Sequence, residues 1–354
     1  MTAKHEPVLP AGPTESAPQD GTAPLAVKPG SPASPDGPAT TAHRAGGARV
    51  GGRQPRAASY SLAARDRRFG YGLVAPAVIV LLAITAFPLV YNIWNSFHHA
   101  DYLFPTTFGT FAGVDNYKEL FTAGLFVPSL YRTLGFTAVS VFVELVVGLA
   151  LALALNRRFR GRALVRAAIL IPWAVPTVVS GLLWKSMFDP QNGFVNFILL
   201  KLHLPLAHTT WLAQTWTAWG AILIADAWRN TPFMALLLLA GLQVIPNDVY
   251  EAAKIDGANA LQTFWRLTLP MLKPALMVAL IFRTLSSFLI FDVIYAMTNG
   301  GPGNSTQVLA YFNWFAMNGE SNYGLGAAIS VALMVMSLII AYIYVTAFKT
   351  EQVV

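Results

Sequence analysis

Asp226, Arg229, Asn230 and Phe233 fall at i, i+3, i+4 and i+7, so on a helix they share one face. Arg283, Ser286 and Ser287 repeat the i, i+3, i+4 spacing in a second apolar stretch. Together the two sets supply carboxylate, guanidinium, amide and hydroxyl groups with one aromatic ring. Such groups can hydrogen-bond the hydroxyls of a sugar and stack on its apolar face. A second reading is wholly internal: Asp226 pairs with Arg229 or Arg283, and the polar groups only hold helices together. Both readings stay open at the level of sequence. Glu144 and Asp292 read as structural partners of these charges. His98 and His99 are adjacent at the end of an apolar run, where interfacial solvation accounts for them, and the isolated histidines form no metal-ligand pattern. The chain has no H-E-x-x-H, nucleophile elbow or carboxylate cluster of the kind a membrane-embedded enzyme needs.

The elements that must position these residues are membrane helices. The chain has 354 residues, 55% hydrophobic and 12% charged, with a mean hydropathy of +0.51. Soluble domains carry about a quarter charged residues. About 20 apolar residues cross the roughly 30 Å of hydrocarbon as a helix. Six segments qualify: Leu73–Phe97, Leu130–Leu155, Leu164–Phe188, Trp216–Leu242, Ala275–Met297 and Leu325–Phe348. Pro88, Pro172, Pro176 and Pro232 fall inside them, which packed neighbours can accommodate. The expected fold is therefore an all-α polytopic membrane protein with six transmembrane helices. Basic residues flank alternate ends: Arg65, Arg67 and Arg68, then Arg157, Arg158, Arg160 and Arg162, then Lys254, Arg266 and Lys273. The segment 298–323 has no Lys or Arg, and the loop after the first span has only Lys118. The positive-inside rule places both termini in the cytoplasm.

Residues 1–68 are rich in Pro, Gly, Ala and Ser and nearly lack large apolar side chains, so they read as a disordered cytoplasmic tail. The tail lacks the apolar core of a signal peptide. The net charge of +7 lies largely in this tail and one short loop, a placement that fits a membrane surface better than nucleic acid. Without cysteine there are no disulfides and no thiolate metal sites.

Between the fourth and fifth spans, residues 246–270 form a long basic loop of helical character. Asp248 and Glu251 have capping-box spacing. Ala252 and Ala253 favour a helix, Gly257 can turn the chain, and a second helix is expected to run until Pro270 stops it. A helix–turn–helix projecting from a membrane suits docking into a soluble partner.

The run Glu251-Ala252-Ala253-Lys254-Ile255-Asp256-Gly257-Ala258, followed by Leu269-Pro270, resembles the EAA loop of ATP-binding-cassette importer permeases. Further runs resemble the carbohydrate-uptake branch, of the maltose and glycerol-3-phosphate type. They are GVDNYKELF from Gly113, ILIPWAVPTVVSGLLWKSMFDP from Ile169, DAWRNTPFMALLLLAGLQVIP from Asp226 and FDVIYAMTNGGPGNSTQVL from Phe291. The resemblance covers about residues 70–348, and the short C-terminal end is similar to the first of the two paired permeases. It implies a subunit of a bacterial inner-membrane, binding-protein-dependent sugar importer. In that role Glu251, Ala252, Ala253, Asp256 and Gly257 couple to an ATPase, and Asp226, Arg229, Asn230, Phe233, Arg283, Ser286 and Ser287 line the substrate pathway. Where sugar-transporting relatives carry small or amide residues, this chain has Arg229 and Arg283. The implied partners are a second homologous permease, two ATPase subunits and an extracytoplasmic solute-binding protein. The chain has no G-x-x-x-x-G-K-[ST], so ATP and Mg would be bound by the ATPase and this chain needs no cofactor. A free-standing secondary sugar transporter is the alternative, but it would show internal repeats and would not need the docking loop.

Overall fold

The computed structural model describes residues 57–349 except Tyr102, Phe104, Ala123 and Ala207, with side chains described between Phe69 and Ala347. The chain separates into Met1–Arg67 and Arg68–Val354, and the residues of interest lie in the second unit. In order the helices are α1 Ala57–Asn95, α2 Asp115–Thr122, α3 Phe126–Asn156, α4 Arg162–Ile169, α5 Ile171–Ala174, α6 Thr177–Met187 and α7 Phe194–Lys201. They continue with α8 Thr215–Val244, α9 Asn247–Ile255, α10 Ala260–Thr263, α11 Leu269–Phe288, α12 Asp292–Met297, α13 Leu309–Asn318 and α14 Tyr323–Lys349. A π-helical turn, Phe264–Thr268, joins α10 to α11 without a break. β-Pairing among the described residues amounts to two isolated bridges, His98 with Phe111 and Asp101 with Asn322.

Among the described residues, five helices are long and apolar enough to cross a membrane: Tyr71–Asn95, Phe126–Asn156, Thr215–Val244, Ala260–Phe288 and Tyr323–Ala347. The expected third span is not one straight helix. The stretch 162–174 meets Thr177–Met187 at 91°. Pro176 is the physical cause: it has no N–H to donate, and it holds Val175 extended at φ −71°, ψ 130°. Counting this broken pair as one crossing gives six.

The fifth span also departs from expectation. Its helix begins at Ala260 and ends at Phe288, and residues 292–297 form the separate helix α12. Pro270 therefore does not stop the second loop helix; it lies inside the continuous helix Ala260–Phe288, two residues after the π-helical turn that re-spaces the backbone bonds beside it. The break after Phe288 follows Ser286, whose hydroxyl bonds back to the Phe282 carbonyl at 2.5 Å and competes with the helical ladder. Asp292 then opens α12, a position the helix dipole favours. At the other end of the molecule α1 starts at Ala57, inside the expected tail, because residues 57–68 contain Ala, Leu and Arg but no Gly or Pro. The rest of that tail, residues 1–56, lies outside the described residues.

α8 is the centre of the bundle, with half of its most apolar window buried. Small residues let its neighbours approach. A Cβ on Gly148 of α3 would stand 2.8 Å from Met234 Cγ, and one on Gly241 of α8 would overlap the Ala275 Cβ of α11. Ala152, Leu155, Leu238, Leu242 and Leu272 fill the space between these contacts. In hydrocarbon such close packing takes over from the hydrophobic effect as the force between helices. By contrast, among the described residues the most apolar stretch of α1 has none that is buried.

Gly241→Val is therefore expected to push α8 from α11 and destabilise the bundle by about 1–3 kcal/mol. Thermal unfolding of the purified protein in detergent should fall by several degrees, with Gly241→Ala intermediate.

Candidate functional site

The polar residues of α8 and α11 meet those of α3 at the middle of the bundle. Arg283 is buried and forms ion pairs with Glu144 and with Asp226. Its Nη2 also donates to Glu144 Oε1 at 2.7 Å and to the Ser140 hydroxyl at 3.1 Å. Ser140 donates in turn to Asp226 Oδ2 at 2.7 Å, and Asn230 Nδ2 donates to Asp226 Oδ1 at 2.7 Å. Two carboxylates thus share one guanidinium, with a hydroxyl and an amide filling their remaining lone pairs. Charges at membrane depth are tolerated on such terms.

Arg229 does something different. Its Nε donates to the Val175 carbonyl at 3.0 Å and its Nη1 to Asn230 Oδ1 at 3.0 Å. Val175 is the residue at which the α5–α6 break leaves a carbonyl without a helical donor. Across the same break, Thr177 at the start of α6 donates its hydroxyl to Asp292 at the start of α12. A guanidinium has five N–H groups, so Arg229 keeps donors beyond those two bonds.

These residues wall a cavity of about 150 Å³, lined among others by Thr177, Asp226, Arg229, Asn230, Ser286 and Asp292. That is room for several waters. Of the expected pathway residues, Asp226, Arg229, Asn230, Arg283 and Ser286 come together here. Phe233 and Ser287 do not. Phe233 lies about 10 Å along α8 from Asp226, where it stacks on Trp173 with centroids 5.2 Å apart. Ser287 turns about 100° from Ser286 and is fully buried, its hydroxyl without a partner among the described residues. Thr177, Ser180 and Phe291 of the cavity wall escaped the sequence reading, because they enter only through the two helix breaks.

A second concavity, of about 650 Å³, lies at the far end of α8 and α11. α9 has no side-chain cap: Pro246 occupies the N-cap, and Asp248 sits in the first turn instead of capping it. Its C-terminus is closed by Ala258 N–H to the Ala253 carbonyl at 2.9 Å and Gly257 N–H to the Lys254 carbonyl at 3.1 Å, a Schellman pair. Gly257 takes the left-handed φ of +76° that this closure requires. Asn259 then caps α10 through a reciprocal box with Gln262, at 2.8 and 2.9 Å. Ala252, Ala253, Asp256 and Gly257 line the groove together with Gln262 and Arg266. Ala253 is buried and packs inward, whereas Glu251 is exposed and lies outside the groove lining. Asn259 and Gln262 escape the sequence reading, although the Asn-x-x-Gln spacing is a readable cap signal, and Arg266 enters it only as a basic flank of the spans.

The profile of the family described as "Binding-protein-dependent transport system inner membrane component" matches residues 144–348. The chain belongs to this family. The permease is 42% identical over 291 residues to the trehalose/maltose transport system permease protein MalF of Thermococcus litoralis, covering 81% of this chain and 96% of that one. It is 40% identical over 284 residues to the trehalose transport system permease protein SugA of Mycobacterium tuberculosis, covering 80% and 89%. It is also 36% identical to the sulfoquinovosyl glycerol permease SmoG of Agrobacterium fabrum over 287 residues, covering 81% and 92%. Its fold matches a chain of a bacterial ABC transporter that imports the acidic polysaccharide alginate, with a TM-score of 0.70 at 21% identity over 83% of this chain and 99% of that one.

In this permease the geometry separates the two arginines. Arg283→Met strands two buried carboxylates and is expected to cost about 3–5 kcal/mol of stability, read as loss of folded protein in detergent. Arg229→Gln leaves the Glu144–Arg283–Asp226 cluster intact. It should preserve folding while changing the concentration dependence of solute uptake.

Proposed function

We propose that this permease is one half of the membrane core of an ATP-driven sugar importer, working by alternating access. One observation carries the reading: the same two helices join the polar cavity to the exposed loop. α8 runs from Asp226, Arg229 and Asn230 straight to Pro246 and α9, and α11 returns from α10 to Arg283 and Ser286. Asn230 is about 20 Å from the end of α8, and Arg283 about 35 Å from Ala260, at 1.5 Å per residue. Helices packed this tightly move as rods. A displacement of α9 and α10 is therefore delivered to the cavity walls.

In this mechanism the loop docks on an ATPase subunit on the cytoplasmic side, with both termini on that side. Exposed Ile255 and the Asp256–Arg266 groove form the contact surface, and Glu251 projects beside it. ATP and Mg act on the partner. Closure of two ATPases draws two such loops together, and the bundles tilt so that the cavity opens outward to a solute-binding protein. Hydrolysis reverses the tilt. Moving the equilibrium from 1:99 to 99:1 takes about 5.5 kcal/mol of differential binding. Sugar is the substrate class of the trehalose/maltose and trehalose permeases it resembles over most of their length. The cavity donors and acceptors suit hydroxyl groups: Asn230, Ser286, Thr177 and the spare N–H groups of Arg229. At about 150 Å³ the cavity is smaller than the roughly 300 Å³ of an ordinary ligand pocket, which fits a pathway completed by a second permease.

Mild-detergent purification from native membranes should recover a second permease, an ATPase and a solute-binding protein that retains trehalose, maltose or a related sugar. Isolation of this chain alone, in a detergent that preserves such assemblies, would overturn the reading. Proline cannot adopt the backbone of Gly257. Gly257→Pro should leave the protein in the membrane at normal level while ATP hydrolysis no longer drives uptake. Sugar uptake at the wild-type rate in that variant would remove the loop from the coupling path.

A further inference from the structure

α3 and α8 run parallel, as their successive contacts show: Phe136 with Trp219, Ser140 with Asp226, and Gly148 with Met234. Nearer their N-terminal ends the two helices enclose a hollow of about 560 Å³, lined by Tyr131, Arg132 and Phe136 on α3 and by Trp216, Trp219 and Leu223 on α8. Gly135 and Gly220 open it, since a Cβ at either would meet nothing within 4 Å. The hollow is distinct from the polar cavity and lies toward the opposite membrane face from the α9–α10 loop.

Among the described residues, the charged group in its lining is Arg132. Arg132 makes no hydrogen bond or ion pair among the described residues, and its Nη1 is buried without a partner. A guanidinium left so, beside hydrocarbon, is costly until an anionic oxygen meets it. Depth and shape identify the source of that oxygen. Arg132 stands about 9 Å along α3 from its first residue, level with the headgroup boundary of a span this long. Tyr131 and Trp216 on the rim are 72% and 85% exposed, as expected of an interfacial aromatic belt. Below the single cation the hollow is apolar and continues for about 10 Å, from Arg132 to Val139 and from Trp216 to Leu223. One anionic head above one apolar channel along the membrane normal is the shape of a phospholipid. A protein carboxylate would satisfy Arg132 and leave the channel empty.

We propose that this hollow binds a phospholipid, its phosphate on the Arg132 guanidinium and an acyl chain between α3 and α8. Arg is suited to the role because its planar fork meets two phosphate oxygens at once. The lipid would seal the outer seam between the two helices that carry Glu144 and Asp226.

The test places the photo-crosslinking residue benzoylphenylalanine at Gly220 in the assembled transporter. The assembly is reconstituted in bilayers of equal parts phosphatidylglycerol and a phosphate-free galactosyl diacylglycerol. Irradiation is expected to add the mass of one phospholipid to this chain, favoured about ten-fold over the galactolipid, the ratio that one charge-assisted contact supports. Arg132→Gln should abolish that preference and Arg132→Lys retain part of it. Equal labelling by the two lipids in the wild-type background, crosslinking to another polypeptide, or no adduct would each overturn the proposal. The readout needs no transport, so it stands or falls separately from the sugar reading.

Discussion

The guanidinium of Arg283 is held by two carboxylates from two other helices, and the middle of the bundle is organised around that fact. Hydrocarbon offers no water to solvate an ion, so each of the three charges must find its partners within the protein. Glu144 brings α3, Asp226 brings α8, and Arg283 fixes the rotation of α11 against both. Ser140 and Asn230 complete the lone pairs of the carboxylates. Rotating any of the three helices by one residue position would carry a charge about 100° away from this centre. The cluster therefore sets register as well as attraction, which is the best-attested use of buried ions.

The two helix breaks answer to the same rule. Pro176 interrupts a membrane segment and exposes a carbonyl that a neighbour must satisfy. Arg229 reaches the Val175 oxygen, and Thr177 and Asp292 tie the N-termini of α6 and α12 across the gap. Irregular backbone at this depth survives where it lines a polar cavity, and here it does. The cavity is thus partly a product of the breaks: it is the place where helices end and their polar ends are gathered.

The crossing segments were readable because an apolar run of about 20 residues has little use outside a bilayer. The loop was readable because Gly257 and its alanines have consequences within a few residues. What escaped was whatever depends on rotation or on distant partners. Ser286 and Ser287 are adjacent and chemically identical, yet the packing of α11 sends one to the cavity and buries the other. Asp248 and Asn259 carry the same capping spacing. Asn259 forms the box, while α9 begins at Asn247, directly after Pro246, and leaves Asp248 inside the first turn. The internal reading of Asp226 and Arg283 as an ion pair is what the geometry shows, and Glu144 joins it as a third member. Pro176 bends its segment by 91°, while Pro232 sits buried inside the continuous α8, so the presence of a proline in an apolar run does not by itself tell a broken span from a continuous one.

The π-helical turn at Phe264–Thr268 has a further consequence for how the two ends of α11 are phased. A π turn carries one residue more than the α-helix around it, and each residue of an α-helix advances the face by about 100°. The groove of Asp256 and Arg266 and the cavity face of Arg283 and Ser286 are therefore offset by an inserted step. Shortening this turn by one residue would leave the groove and the cavity each intact but swing one about the helix axis relative to the other. The turn acts as a phase-setting washer on a shaft: it fixes the angle about the helix axis at which the groove residues stand relative to the cavity residues, independently of the distance between them.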